Sequence, residues 1–200
     1  MEAIKLKQFF YLQINQPTAM LEVNFNPFPE LKTERLLLRQ LIDEDVAQIY
    51  QLRADEDVMK FIGKKPITTM GEAGDFFNLI NNSLENNSGI TWAISTLENR
   101  SLIGTIGLWR IIKENYRAEI GYMLLPEYWK KGFTKEAILK VIDYGFHEMK
   151  LHSIEAHISP KNIASATVLE KTGFVREGYF KEDFFFDGKF EDTAIYSLLA

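Results

Sequence analysis

The spacing of apolar residues divides the chain into strand-like and helix-like segments. Short apolar or alternating runs bounded by turn residues are typical of β-strands, whereas apolar residues that repeat every three or four positions indicate amphipathic helices. The last two strand-like runs flank Asp187-Gly188, a dipeptide that favours a hairpin turn. The first pattern predicts strands at Arg35–Leu41, Ile90–Thr96, Leu102–Arg110, Ala118–Leu125, Ile154–Ile158, Phe174–Lys181 and Lys189–Leu198.

Four segments combine helical spacing with a residue type that is favoured at helix starts. Thr69 and Glu72 form a capping box, in which each side chain binds the backbone N–H of the other residue. The clearest amphipathic pattern begins near Gly132, and Gly173 is the residue type favoured just beyond a helix end. Helices are therefore predicted after Asp43, Thr69, Gly132 and Asn162.

The order of these elements predicts a mixed sheet. The helix that separates Ala118–Leu125 from Ile154–Ile158 permits these two strands to lie parallel, and the shorter connections before them favour antiparallel pairs. The expected fold class is α/β (α+β), with a mostly antiparallel sheet of about seven strands and helices on both faces.

The first thirty residues differ from the rest of the chain. Prolines at 17, 27 and 29 and asparagines at 15, 24 and 26 interrupt any periodic pattern. We therefore expect an N-terminal extension of uncertain order at 1–30 and a single domain at 31–200. Met20 is an alternative start, so the sequence does not decide whether residues 1–19 belong to the natural protein.

Composition excludes several classes of function. Hydrophobic residues make up 46% of the 200 residues, which is enough for a folded core. The net charge of −5 and the scattered basic residues argue against direct nucleic-acid binding and favour a cationic partner. The absence of cysteine excludes thiolate nucleophiles and cysteine zinc sites. No apolar run approaches the ~18–20 residues that cross a bilayer and no signal peptide is evident, so we expect a cytoplasmic protein that does not bind membranes.

Gly132 lies between a predicted strand and the strongest predicted helix. The backbone N–H groups of Lys131 to Lys135 would point out of this helix start, where the helix dipole adds roughly half a positive charge. Lys130 adds a further formal charge, and the whole turn suits a pyrophosphate. Its glycine spacing differs from both the P-loop and the dinucleotide fingerprint. The alternative is that Gly132 permits a tight turn and the lysines are merely solvated.

Three ordered segments carry a resemblance to a known family. Glu-Ile-Gly-Tyr-Met-Leu at 119–124, the segment 126–137 and the segment 162–174 together resemble the GNAT N-acetyltransferases. Thr-Glu-Arg-Leu-Leu-Leu-Arg at 33–39 and Gly-Lys-Phe-Glu-Asp at 188–192 further resemble the branch that includes RimJ/RimL-type ribosomal-protein N-terminal acetyltransferases. The match covers about residues 31–199. In the family's loop pattern, Lys130 and Thr134 depart from the usual residue types.

The resemblance implies acetyl-CoA as the co-substrate and no metal. It implies a splayed parallel strand pair at the acetyl-CoA site, with backbone groups of Met123 and Leu125 on the pantetheine arm. The implied contacts to the cofactor also include Lys130, Lys131, Gly132, Phe133, Thr134, Lys135, Asn162 and Ser165. A plain helix cap is the alternative role for Asn162.

Acetyl transfer to an amine requires a neutral amine and a route for its proton. Glu119 is the candidate base, acting directly or through a water, because it lies on the strand leading to the Gly132 turn beside apolar residues. It also matches a glutamate suspected of this role in similar enzymes. The resemblance suggests Ser165 as the acid that reprotonates the thiolate. Tyr128 and Tyr179 are the phenol alternatives, and a dedicated acid is not required for so good a leaving group.

The sequence does not identify the acceptor. It is a primary amine, either the α-amine of a (ribosomal) protein N-terminus or a small amine such as a polyamine, aminoglycoside or amino acid. The segment Asp55–Met70 and the final hairpin are expected to contact it. A non-catalytic acyl-CoA-binding module and a nucleotide-phosphate enzyme are the rival interpretations. Monomer and homodimer are both compatible with the sequence.

Two further groups are expected to be structural. His147, His152 and His157 are five residues apart, a spacing that crosses from a helix into a strand and lacks a metal-ligand pattern. The run at 184–186 of three phenylalanines is expected to form hairpin or pocket wall.

Overall fold

The computed structural model describes residues 20–200, and the expectations for residues 1–19 lie outside that range. The strands are β1 (Leu31–Lys32), β2 (Leu36–Arg39), β3 (Ile90–Thr96), β4 (Gly104–Ile112), β5 (Arg117–Leu124), β6 (Ser153–Ile158), β7 (Val175–Phe186) and β8 (Lys189–Leu199). They form one sheet in the order β1-β2-β3-β4-β5-β6-β8-β7. Of the strand pairs over residues 20–200, only β5–β6 is parallel. This topology confirms the predicted fold class.

Five α-helices lie within residues 20–200. They are α1 (Val46–Ala54), α2 (Glu56–Met59), α3 (Met70–Glu85), α4 (Phe133–His147) and α5 (Ile163–Lys171). The predicted capping box is present at α3, where Thr69 Oγ1 accepts the Glu72 N–H at 3.3 Å and Glu72 Oε2 accepts the Thr69 N–H at 3.0 Å. No helix among the described residues is both long enough and apolar enough to span a membrane.

The sheet has one strand more than the sequence pattern predicts. The additional strand, β1, has two residues and pairs with β2 through Leu31 opposite Leu38. Two residues are too few to produce an alternating pattern, which explains why periodicity does not detect it. The hairpin of β7 and β8 also extends further than predicted and reaches the Asp187-Gly188 turn on both sides.

Helices cover both faces of the sheet, and alternate residues of β3 show the two faces. Trp92 and its alternating neighbours pack in the core that includes α4 and α5 residues such as Ile138 and Leu169. Ala93 packs instead with Ile49 of α1 and Phe77 of α3. These layers are called the α4–α5 face and the α1–α3 face below.

The segment before β1 contributes to the core. Leu21 and Phe25 are buried in the α4–α5 layer, and the Trp92 indole Nε1 donates to the Pro29 carbonyl at 2.7 Å. Core packing therefore continues across the domain boundary that the sequence places at residue 31. The interrupted pattern of this segment reflects an irregular backbone rather than an absence of apolar contacts.

The parallel pair β5–β6 is short and then opens. Its register runs from Arg117 opposite Ser153 to Glu119 opposite Glu155, and no further pairs of these two strands follow. The remainder of β5 continues to pair with β4 as far as Leu124. One edge of β5 between Glu119 and Leu124 is therefore free of a strand partner, and this opening positions the candidate site.

Candidate active site

The predicted anion-binding turn has the expected geometry. Gly132 has φ 81° and ψ 0° and directly precedes α4, and Lys130 also has a positive φ of 59°. The first N–H groups of α4 have no acceptor within the helix and lie at the positive end of its dipole. Lys130, Lys131 and Lys135 are all exposed around this turn. The turn therefore offers both the directed donors and the charge that a pyrophosphate requires.

The backbone of β5 corrects one part of the expected cofactor contacts. The Leu125 N–H donates to the Ile103 carbonyl at 2.9 Å, and the Leu125 carbonyl accepts the Tyr128 N–H at 3.0 Å. Both backbone groups of Leu125 are thus used within the protein. Alternate residues of an antiparallel strand direct their backbone groups to the same side, so those of Met123 also point toward β4. The expectation for Met123 and Leu125 is therefore wrong.

Tyr122 and Leu124 take the place of that pair. Their position in the alternation directs their backbone groups away from β4 and toward the opening between β5 and β6. The Trp129 indole supports this orientation, because its Nε1 donates to the Leu124 carbonyl at 2.6 Å. The Tyr122 backbone groups and the Leu124 N–H thus face the side on which an extended pantetheine arm would take the position of a strand.

Ser165 forms a buried hydrogen-bonded pair with Tyr122, a phenol that is not among the residues predicted from sequence. The Ser165 hydroxyl is 2.7 Å from the Tyr122 hydroxyl, and the Ser165 residue is 8% exposed. Burial raises the pKa of Tyr122 to about 12, although the hydrogen bond with Ser165 opposes the shift. Asn162 Oδ1 accepts the Ser165 N–H at 3.0 Å and caps α5. The capping role of Asn162 is thereby confirmed, and its contact with the cofactor stays a prediction.

The two phenols proposed from sequence have other partners. Tyr128 lies beside Phe133, with ring centroids 6.3 Å apart, and the Lys131 ammonium is 5.3 Å from the Tyr128 ring. The Tyr179 hydroxyl donates to Asp192 on the neighbouring strand. Tyr122 gives no local sequence signal, because its pairing with Ser165 joins positions 43 residues apart.

Glu119 is buried and lies on the α1–α3 face. It is 7% exposed, and it shares its strand face with Met123, which packs against the α1–α3 layer. The Arg110 guanidinium donates to Glu119 Oε2 at 2.7 Å. A bulge in β4 between Trp109 and Ile112 gives Arg110 a φ of 47° and allows this contact.

A second carboxylate lies next to Glu119. Glu155 is its register partner on β6, and the Glu155 carboxylate lies 3.3 Å from Arg117 and 3.5 Å from His157. The ligand atoms of Glu119, Glu155 and His157 all lie within 4.8 Å of one another. Two guanidinium groups already neutralise these carboxylates, so the cluster has the charge balance of an ion-pair network. The absence of a bound metal stays a prediction.

The two segments expected to contact the acceptor meet in space. The Phe184 ring near the hairpin tip lies so close to Gly63 that a Cβ atom there would be 2.7 Å from Phe184 Cε1. The Lys65 ammonium binds Asp187 at 2.8 Å. The hairpin therefore bends toward the α1–α3 face, the face that carries Glu119. Phe184, which makes this contact, also stacks on Phe186 with ring centroids 6.2 Å apart.

Comparison with known proteins identifies the family. Residues 35–175 match the family model described as an acetyltransferase (GNAT) domain. The chain belongs to this family. The chain is 35% identical over 127 residues to the uncharacterized N-acetyltransferase YoaA of Bacillus subtilis, covering 64% of the chain and 72% of YoaA. It is also 28% identical over 120 residues to the spermidine N(1)-acetyltransferase of Vibrio cholerae, covering 60% and 67%.

Solved GNAT structures share most of this fold. A GNAT acetyltransferase from Bacillus anthracis superposes with a TM-score of 0.75 at 33% identity, covering 86% of this chain and 98% of that one. The Vibrio cholerae spermidine N-acetyltransferase, solved with CoA and spermine, gives a TM-score of 0.74 at 28% identity, covering 84% and 96%. The protein is therefore a GNAT-type N-acetyltransferase.

In this GNAT domain, different candidate catalytic side chains lie on the two faces of the sheet at β5. Ser165 and Tyr122 lie on the α4–α5 face, near the start of α5, while Glu119 lies on the α1–α3 face. The opening between β5 and β6 separates them. A group inserted in this opening would be accessible to a base from one face and to a hydroxyl from the other.

Proposed function

We propose that this GNAT protein transfers the acetyl group of acetyl-CoA directly to a primary amine, and that the acceptor is the α-amine of a protein N-terminus. The opening of the β5–β6 pair beyond Glu119 and Glu155 carries the proposal. It leads along the free edge of β5 to the Gly132 turn, so one extended thioester can contact both. The pyrophosphate is held by the backbone N–H groups and lysines of the turn, and the pantetheine arm by Tyr122 and Leu124.

The chemistry requires no enzyme nucleophile. The amine nitrogen attacks the thioester carbonyl, a C–N bond forms, the C–S bond breaks, and the amine proton leaves. Glu119, directly or through a water, accepts that proton, and the Leu124 N–H stabilises the developing oxyanion. The Ser165 hydroxyl, oriented by Tyr122, returns a proton to the CoA thiolate. Glu155 and His157 connect Glu119 to the surface and offer a route for proton release.

The choice of acceptor rests on the basicity of the amine. An α-amine has a pKa near 7.7–8.0 and a lysine amine about 10.4, so neutralising the α-amine at pH 7.5 costs roughly 3.5 kcal/mol less. Carboxylates are weak bases, and the proposed base on the acceptor face, Glu119, is a carboxylate. A RimJ/RimL-like activity therefore suits this site better than lysine acetylation. The contact between the hairpin and the loop at Gly63 also favours an extended peptide as the acceptor, with its N-terminus entering the site first.

A polyamine is the second candidate acceptor. The spermidine acetyltransferase of Vibrio cholerae is similar to this chain in both sequence and structure, and it has been solved with CoA and spermine. Glu119 and Glu155 could bind one ammonium group of a polycation while another is acetylated. Against this reading, Arg110 and Arg117 neutralise both carboxylates.

Two measurements test the proposal. In a thermal-shift comparison of acetyl-CoA, CoA, ATP and NAD, acetyl-CoA at 100 times its Kd should stabilise the protein by about 2.7 kcal/mol. Stabilisation by ATP without any by acetyl-CoA would reject the cofactor assignment. An acceptor panel should then give the highest kcat/KM with N-terminal peptides, and an N-terminally blocked peptide that contains lysine serves as the control. Preference for spermidine would select the second candidate. Tight acetyl-CoA binding without turnover over the whole panel would indicate a non-catalytic module.

A further inference from the structure

The Thr-Glu-Arg segment that precedes β2 is tied to the first turn of α4. Glu136 is the centre of this contact. Its Oε1 accepts hydrogen bonds from the Thr33 hydroxyl and from the Arg35 N–H, the latter at 2.9 Å. Its Oε2 accepts a hydrogen bond from Arg35 Nε at 2.7 Å. Segments about one hundred residues apart in sequence therefore meet beside the Gly132 turn.

The Arg35 guanidinium also contacts the turn itself. Its Nη1 donates to the Lys131 carbonyl at 3.0 Å, and its carbon lies 4.6 Å from the centroid of the Phe133 ring. A Cβ atom at Gly132 would lie 3.4 Å from Arg35 Nη2. The Arg35 guanidinium thus contacts the Glu136 carboxylate, and it also contacts the residues directly before and after Gly132, through the Lys131 carbonyl and the Phe133 ring.

These contacts have two consequences for anion binding. The Lys131 carbonyl is drawn toward Arg35, so it cannot turn its negative dipole toward the phosphates while the N–H groups of the turn face them. The Glu136 charge, which lies in the first turn of α4, is neutralised and cannot repel a pyrophosphate. Burial alone would raise the pKa of Glu136, but the hydrogen bonds from Thr33 and Arg35 outweigh it and the pKa is lowered.

We propose that Arg35 and Glu136 are positioning residues that hold the Lys131–Phe133 turn in the conformation that binds the acetyl-CoA pyrophosphate. The proposal rests on the proposed function, because it assumes that the pyrophosphate binds at this turn. Arg35 acts through hydrogen-bond geometry as well as charge. A lysine at position 35 could supply the charge but could not bind Glu136 and the Lys131 carbonyl with one rigid fork.

The test compares two donors, acetyl-CoA and S-acetylpantetheine, which lacks the pyrophosphate. Arg35→Met and Arg35→Lys should both raise KM for acetyl-CoA by about tenfold or more, the effect expected for lost charge-assisted hydrogen bonds, with kcat changed much less. Neither variant should change KM for S-acetylpantetheine. Lys140→Met removes one positive charge from the same helix away from the turn, so it is the matched control and should leave both KM values unchanged.

Several outcomes would overturn the proposal. If Arg35→Lys behaved like the wild type, charge alone would suffice and the positioning role would be rejected. Equal losses with both donors, or a fall in thermal stability that accounts for the loss, would show a general structural role. Glu136→Gln combined with Arg35→Met should be no worse than Arg35→Met alone, because the two residues act as a unit; additive losses would contradict this. If wild-type protein did not bind acetyl-CoA, the proposed function itself would fail, and that result is distinguishable from all the others.

Discussion

The proposed cofactor side and the proposed acceptor side of this GNAT domain are built in different ways. The cofactor side uses backbone groups from two neighbouring pieces of chain, the end of β5 and the turn at Gly132. The acceptor side uses side chains from separate elements, among them Glu119, Glu155 and Phe184. Backbone donors bind any ligand of the right shape and charge, whereas side chains can vary without loss of the fold. This difference would allow the fold to keep the donor site while the acceptor site changes.

The largest effect is expected from a substitution on the acceptor side. Glu119→Gln removes the base while keeping the size of the side chain, and kcat should fall by about 100-fold or more. The deficit should narrow as pH rises past the acceptor's pKa, because the amine then arrives neutral. Steady-state kinetics over pH 6 to 10 measure both effects, with Kd for acetyl-CoA as the check on the cofactor side.

Glu155→Gln is the matched control for that prediction. It makes the same chemical change at the register partner of Glu119 and should reduce kcat far less. Equal losses from the two variants would mean that the pair, rather than Glu119, carries the proton. If Glu119→Gln did not reduce kcat, the proton would have to be accepted by a water relay that does not include this carboxylate.

The next effect breaks the cofactor side. Gly132→Ala places a Cβ atom on a residue with φ 81°, which costs about 1–2 kcal/mol, and the Cβ atom itself meets Arg35 only at van der Waals distance. Since the strain falls on the turn, Kd for CoA should rise by about tenfold, as calorimetry would show. Gly188→Ala is the control, because Gly188 has φ 82° and open space around it, but lies at the hairpin tip. Weakened CoA binding in Gly188→Ala would show that the strain acts on the whole domain.

A smaller effect is expected where the two sides meet. Tyr122→Phe leaves the buried Ser165 hydroxyl without its partner, which should cost about 1–2 kcal/mol of unfolding free energy and reduce kcat severalfold. The pKa of Tyr122 is raised from 10.0 to about 12, so its stabilising effect is present below pH 10 and is lost as pH rises through 12. The stability difference between wild type and variant should therefore stay constant from pH 6 to 9. A difference that changed within that window would contradict the assignment.

The smallest effect concerns the contact between hairpin and loop. Lys65→Met and Asp187→Asn each break an exposed ion pair, and such pairs contribute little to stability. Thermal stability should hardly change, but KM for the acceptor should shift by up to about fivefold while KM for acetyl-CoA stays constant. A change confined to KM for acetyl-CoA would contradict this prediction, because it would assign the hairpin to the cofactor site.

The two sides also differ in how far local sequence determines them. The Gly132 turn, the Asn162 cap and the Thr69 capping box were predictable, because each depends on residues within a few positions of one another. The direction of the β5 backbone groups does not follow from neighbouring residues, which is why the expectation for Leu125 is wrong. A shift of one residue along a strand reverses which neighbour its N–H faces, and only the register with β4 decides it.

Long-range pairs were likewise beyond the sequence pattern. Burial of Glu119 followed from its apolar neighbours, but Arg110 reaches it only through a bulge in β4. Tyr122 and Ser165 approach each other because β5 and α5 pack together. The packing of Leu21 and Phe25 was missed for the opposite reason, since an irregular segment can bury apolar residues without any periodicity.

By itself, the sequence determined the order of elements, the mixed sheet and the anion-binding turn, because helix and strand periodicity and helix-start chemistry are encoded locally. The tertiary structure decided which backbone groups face the opening beyond Glu119 and Glu155. It also decided which carboxylates are paired with arginine, and that Arg35 contacts the turn at Gly132 although it is 96 residues from Lys131 in the sequence. These features depend on strand register and on contacts between residues far apart in the chain, whose geometry is fixed only when the whole core is packed.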